Sequence, residues 1–99
     1  MEAFRVAVRQ SDEACRVTLA GELDAATVPS LRDALTAVHG HVTIDCEQLS
    51  FADSSGIAEL LILARRVESV GLEKPSNQLR RSLEILDLSV VLGLDRRTT

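Results

Sequence analysis

The order in which the hydrophobic period changes along the chain leaves few folds open. From Phe4 to Arg9 apolar and polar residues alternate, with Phe4, Val6 and Val8 on one face and Arg5, Ala7 and Arg9 on the other. After the polar stretch "QSDE", Cys15, Val17 and Leu19 alternate with Arg16, Thr18 and Ala20. Two period-two runs joined by a short polar turn predict an antiparallel hairpin, with Gly21 expected to end its second strand. The period then lengthens. In "GELDAATVPSLRDALTAVHG", Val28, Leu31, Leu35 and Val38 fall at helical spacing, with Ala34 on the same stripe. Thr27 is the expected N-cap, Pro29 is tolerated in the first turn and Gly40 is a natural stop. Strand chemistry returns in "HVTIDCEQLSF", where Val42, Ile44 and Cys46 share a face. A strand, a helix and a strand in that order predict a parallel pair.

A second helix is expected to start after Asp53 and run to about Val70. Its buried stripe is Ile57, Leu60, Leu61, Ala64 and Val67, with Ile62 and Leu63 widening it. Arg65, Arg66 and Glu68 are expected to face water, and Gly71 to close the helix. A third helix is expected to open at the N-cap Ser76, to carry Leu79, Leu83, Leu86 and Val90 inward, and to end near Gly93. The predicted fold class is α/β, a small mixed sheet made of an N-terminal hairpin plus parallel strands, with about three helices packed on it. The domain spans residues 1–95 in this reading, and residues 96–99 form a tail.

Composition narrows the function. The 99 residues suit one core, and 45% hydrophobic with 26% charged residues is the balance of a soluble globular domain. Two Phe, no Trp and no Tyr leave little for bases to stack on, and a net charge of −4 opposes phosphate backbones, so nucleic-acid binding is not expected. The opening "MEAFRVAVRQ" alternates at once, so no signal peptide is expected. No apolar run reaches the roughly 18 residues of a membrane span. Cys15 and Cys46 lie in predicted strands without CxxC spacing; buried free thiols in a reducing cytoplasm are expected, with a disulfide between neighbouring strands as the other arrangement.

The chemistry concentrates in "LSFADSSGIAELLILARR", Leu49 to Arg66, where two hydroxyls and a carboxylate stand at the mouth of an apolar helix. Asp53 alone is explained as a cap, because the first four helix amides lack internal partners. Ser54 and Ser55 are not needed for that. A hydroxyl in the first turn lies beside free amides and the positive end of the helix dipole, a place that favours anions. A phosphate there would add roughly −1.5 to −2 charges at pH 7 and repel an acidic or apolar partner without unfolding the helix.

The segments "GELD" at Gly21–Asp24, "LSFADSSGIAELL" and "LRRSLEILDLSVVLGLD" resemble the STAS domain of bacterial anti-sigma factor antagonists. The Asp-Ser-Ser-Gly-aliphatic run after a strand is the specific part; "GELD" alone is weak. The resemblance implies that the unphosphorylated chain binds an anti-sigma factor, which is itself a Ser kinase, and thereby releases a sigma factor. It further implies that phosphorylation dissolves the complex and that a Ser/Thr phosphatase resets it. Carried over by motif position, the phosphorylated serine is the one after the Asp, Ser54, with Ser55 as a neighbour facing the partner. Asp24 corresponds to the acidic residue near the phosphosite, and Gly56 to the glycine that keeps the helix start uncluttered. Thr27, Asp53 and Ile57 complete the implied partner-binding set. The chain itself would not be an enzyme and would need no cofactor, since the kinase supplies ATP, metal and base.

In one place the sequence departs from the family pattern. A strand is normal between the second and third helices, yet only "LEK" separates Gly71 from Pro75, and three extended residues span about 10 Å. The fourth strand is then a stub or missing. Otherwise the second helix ends early and "VESVGLEK" supplies the strand, or the sheet keeps an open edge through which an oligomer could form.

Rival chemistries are weaker. No G-x-S-x-G surrounds Ser54, and the only histidines, His39 and His41, lie in an "HGH" turn before a strand, which argues against a serine hydrolase. A lone His-x-His without a third ligand is a weak metal signal, and a turn with two exposed histidines is expected. The main alternative is a STAS adaptor subunit of a lipid- or anion-transport complex, docking by the same helix face without regulated phosphorylation. A cytoplasmic location is expected for either role.

Overall fold

The computed structural model describes residues 3–89 and 91–93. Seven elements follow in chain order: β1 (Arg5–Gln10), β2 (Ala14–Leu23), α1 (Val28–Ala34), β3 (His41–Ala52), α2 (Ser54–Arg66), β4 (Ser69–Glu73) and α3 (Asn77–Ile85). The four strands form one sheet in the order β1-β2-β3-β4. β1 pairs antiparallel with β2, while β2–β3 and β3–β4 are parallel. The predicted α/β class, with an N-terminal hairpin, parallel strands and three helices, is what the chain adopts.

Strand alternation sorts the sheet into an apolar and a polar face. Val8, Val17, Ile44 and Leu72 lie in one cross-strand row, and Cys15, Val42 and Val70 in the next. Apart from Val8 on the edge strand, these side chains are buried in one cluster with Leu31 of α1, Ile57, Leu60 and Leu63 of α2, and Leu79 and Leu83 of α3. On the opposite face Arg16 spans two strands, its Nη2 lying 3.2 Å from Asp45 Oδ2 and 2.8 Å from Glu73 Oε1. Cys15 and Cys46 are free and buried. Burial raises both thiols and pushes Cys46 up to about 12, so neither is a nucleophile near neutral pH.

Three boundaries differ from the sequence expectation, two of them because a strand pairing outweighs a local signal. Gly21 does not end β2. It sits at a register shift with φ +91, inside a strand that continues to Leu23, and a Cβ there would lie 2.8 Å from Ala3 O. The second helix stops at Arg66 rather than Val70. Val67 is already extended, and Ser69–Glu73 runs beside His41–Asp45 as the fourth strand, five residues long. Gly71 is therefore a strand residue. Helix α3 ends at Ile85 rather than near Gly93. Asp87, at φ 61, turns the chain, and Leu88 N–H donates to Leu83 O while Asp87 N–H donates to Glu84 O, the paired bonds of a Schellman stop. Leu86 is consequently exposed, and Leu92 takes the inward place. Val90 and the expected tail 96–99 lie outside the described residues. Thr27 stands at the N-cap position of α1 but makes no side-chain cap.

Charged side chains tie α1 to α2. Arg32 grips the buried Glu59 through two hydrogen bonds of 3.1 Å, which raises the Arg32 guanidinium further above its ordinary value. Arg66 donates to the carbonyls of Val38 and Leu35, at 2.9 and 2.7 Å, so it closes the end of α1 and does more than face water.

Candidate functional site

Parallel pairing brings the two predicted acidic positions together. In the β2–β3 register Leu23 pairs with Ala52, so Asp24 and Asp53 leave adjacent strands at the same level. The backbones are still joined there, since Asp53 N–H donates to Leu23 O at 3.0 Å. This is the carboxyl end of the parallel strands, where open α/β sheets gather their functional groups.

Asp53 makes the cap. Its backbone is extended (φ −94, ψ −175) and its Oδ1 accepts from Gly56 N–H at 3.0 Å, while its carbonyl accepts from Ile57 N–H at 2.9 Å. One carboxylate thus satisfies the helix start. Ser54, the first residue of α2, is exposed, and Ser55 is half-buried beside it. Both belong to the first turn, at the positive end of a helix running to Arg66.

Gly56 is buried because the helix start leans directly on β2. A Cβ at Gly56 would fall 2.6 Å from Leu23 Cγ and 3.0 Å from Leu23 O, and no side chain fits that gap. Ile57 is 3% exposed and belongs to the core beneath the site.

Asp24 organises its own loop. Its Oδ1 accepts from Ala26 N–H (3.0 Å), Thr27 N–H (3.1 Å) and lies 3.2 Å from Thr27 Oγ1. Thr27 Oγ1 in turn accepts from Asp24 N–H at 2.9 Å and is 3.0 Å from Glu22 O, its shortest acceptor. Thr27 therefore locks the Asp24 turn instead of capping α1. Asp24, Thr27, Asp53, Ser54, Ser55 and Gly56 share one end of the molecule, with Ile57 below them.

The sequence reading missed Gln78, which packs under this site from α3. Its carboxamide donates to Ala52 O at 2.9 Å and accepts from Ala52 N–H at 3.2 Å. A polar residue in the first turn of an amphipathic helix carries no sequence signal for such a role.

Other chemistries find no support at this end. His41 opens β3 and Asp53 follows its last residue, so the whole strand, at roughly 3.3 Å per residue, separates the histidines from Ser54. His39 and His41 are exposed, as expected, and His41 Nδ1 is 2.9 Å from Ser69 Oγ. Among the described residues no group of three or more His, Cys, Asp or Glu could hold a metal ion, and no helix is long and apolar enough to cross a membrane.

Comparison with known proteins agrees with this architecture. An anti-sigma factor antagonist from Mycobacterium paratuberculosis superposes with a TM-score of 0.80 at 23% identity, covering 91% of this chain and 83% of that one. The anti-sigma factor antagonist SpoIIAA in its unphosphorylated form gives 0.69 at 24% identity, with 97% and 96% covered. The Bacillus cell fate determinant SpoIIAA in the phosphorylated form gives 0.60 at 25% identity, with 89% and 86% covered. No curated protein sequence matches the chain. The family model described as "Mlab, STAS domain" matches residues 6–94, and the chain accordingly belongs to the STAS domain family.

Proposed function

We propose that this chain is an anti-sigma factor antagonist whose unphosphorylated form binds an anti-sigma factor Ser kinase and whose binding ends on phosphorylation of Ser54. The observation that carries the reading is the division of labour at the start of α2: Asp53 makes the cap and leaves Ser54 exposed. A hydroxyl with no structural duty, at a helix end that favours negative charge, is suited to be charged and discharged without loss of the fold. Likeness to SpoIIAA, solved in phosphorylated and unphosphorylated forms, supports the same role.

In this mechanism the surface formed by Asp24, Thr27, Asp53, Ser55 and Ser54 meets the partner, and Gly56 and Ile57 act from beneath by holding α2 against β2. The kinase supplies nucleotide, metal and base, and this chain supplies the acceptor oxygen. A phosphate at Ser54 places roughly −1.5 to −2 charges beside Asp24 and Asp53, and the concentrated negative charge expels the partner. A Ser/Thr phosphatase in the cytoplasm would restore the binding form. The reading is tested by intact mass after incubation with ATP, magnesium and candidate anti-sigma kinases. One added phosphate, mapped to Ser54 and lost in Ser54→Ala, is the expected result. A kinase that binds the chain yet never modifies it would instead favour the adaptor role.

A further inference from the structure

The pairing of β3 with β4 covers His41–Asp45, and among the described residues no strand runs along the far side of β3 from Cys46 to Ala52. Backbone polar groups along a strand point alternately to either neighbour. Asp53 N–H points to β2, bonding Leu23 O, so the polar groups of Ala52 point away from β2 toward the uncovered side. Ala52 is fully buried, and an unpartnered amide and carbonyl there would be costly. Gln78 fills that vacancy with one side chain. Oε1 accepts from Ala52 N–H at 3.2 Å and Nε2 donates to Ala52 O at 2.9 Å, the donor and acceptor pattern of a neighbouring strand's peptide. The second Nε2 proton goes to Ser82 Oγ at 3.2 Å, one turn further along α3, which fixes the orientation of the carboxamide.

We infer that Gln78 is a positioning residue of the Ser54 site: its carboxamide substitutes for the missing strand at the last residue of β3 and so sets the peptide that launches Asp53 and Ser54. Its functional meaning rests on the Ser54 reading above. Ala52 is held on one side by Gln78, and Asp53 on the other by Leu23. Two consecutive peptides are thereby fixed, and the direction in which α2 starts is fixed with them. The latch belongs to α3, so any displacement of that helix reaches the acceptor serine through one amide pair.

The test uses the full chain and Gln78→Leu, which keeps the bulk and removes both hydrogen bonds to Ala52 along with the one to Ser82. The reporter is the Gly56 amide, which donates to Asp53 Oδ1 rather than to Gln78. Hydrogen exchange is expected to show its protection falling by about tenfold, together with that of Ala52, while the buried amides of Val17 and Ile44 keep theirs. With the kinase, kcat for phosphorylation of Ser54 is expected to fall by about tenfold, with KM within about twofold. In Gln78→Glu an ionised carboxylate faces Ala52 O and cannot donate. Protonation at low pH restores a donor and an acceptor, and protection of the Ala52 amide, which bonds this side chain directly, should recover with it. Unchanged Gly56 protection in Gln78→Leu overturns the inference, as does a uniform loss across the sheet or a Gln78→Glu variant blind to pH. If the wild-type chain is no kinase substrate, the Ser54 reading fails, and the exchange result still decides the role of Gln78.

Discussion

Gly56 and Leu23 are in contact so close that a methyl group at Gly56 would lie 2.6 Å from Leu23 Cγ and 2.8 Å from Leu23 Cδ2. Leu23 is fully buried and has no room to retreat. Gly56→Ala is therefore expected to destabilise the chain by about 1–3 kcal/mol, the range for overpacking a closed core. Denaturant unfolding measures this through the shift in midpoint. Unchanged stability would mean that the α2 start can lift off β2 at no cost.

Charge at Ser54 should control partner binding and leave the fold intact. Ser54→Ala is expected to hold the anti-sigma partner persistently under phosphorylating conditions. Ser54→Asp is expected to bind about tenfold or more weakly, one carboxylate imitating part of a phosphate. Calorimetric titration of the partner into each variant measures the difference. Equal affinities would remove charge at Ser54 as the switch.

The oxygen of Asp24 that holds the loop and the charge it offers a partner can be separated. Asp24→Asn keeps an acceptor for Ala26 and Thr27 N–H and should change stability by less than about 0.5 kcal/mol, while weakening the partner complex. Asp24→Ala removes that acceptor and should cost about 1–2 kcal/mol. Thermal melts and binding titrations on both variants make the comparison. An Asn variant that binds like wild type would limit Asp24 to shaping its loop.

Cys46 predicts an alkaline weakness. Burial, with smaller contributions from the charges of Asp45 and Glu73, pushes its thiol up to about 12, whereas the unfolded chain releases that proton near 8.5. The folded state then holds a proton that the unfolded state has lost. The contribution is complete below about pH 8.5 and declines by up to about 1.4 kcal/mol per pH unit as pH rises toward the folded value. The stability advantage of wild type over Cys46→Ala should narrow between about pH 9 and 11 in denaturant melts. Parallel profiles for the two proteins would contradict a thiol held neutral by burial.

Ser76 Oγ accepts from Leu79 N–H at 3.1 Å and caps the helix that carries Gln78. Ser76→Ala should cost about 1 kcal/mol, measured by chemical denaturation. A Gly variant at the same position should lose only a few tenths. An equal loss in both would place the effect outside the cap.

The sequence alone determined what depends on neighbours a few residues apart. The hairpin follows from alternation around "QSDE", α1 from the spacing of Val28 and Leu31, and the caps Asp53 and Ser76 from short polar side chains before apolar helical runs. The cluster at Asp53–Gly56 was legible for the same reason: strand, cap and helix are consecutive. Only the tertiary structure decided where a local signal was ambiguous or silent. Helical spacing continues through Val67, yet Val70 and Leu72 are buried better beside Val42 and Ile44 than on another turn of α2, so the strand is formed there. Gly21 looks like a terminator and proves to be a bulge, because the bulge exists only relative to β3. Thr27 looks like a cap and binds the Asp24 turn instead. Arg32 with Glu59, and Gln78 with Ala52, meet across 27 and 26 residues of chain, distances at which no periodicity or motif operates. Local geometry is a property of the chain. The choice among competing burials and hydrogen-bond partners belongs to the folded molecule, since each is settled by what another segment brings alongside.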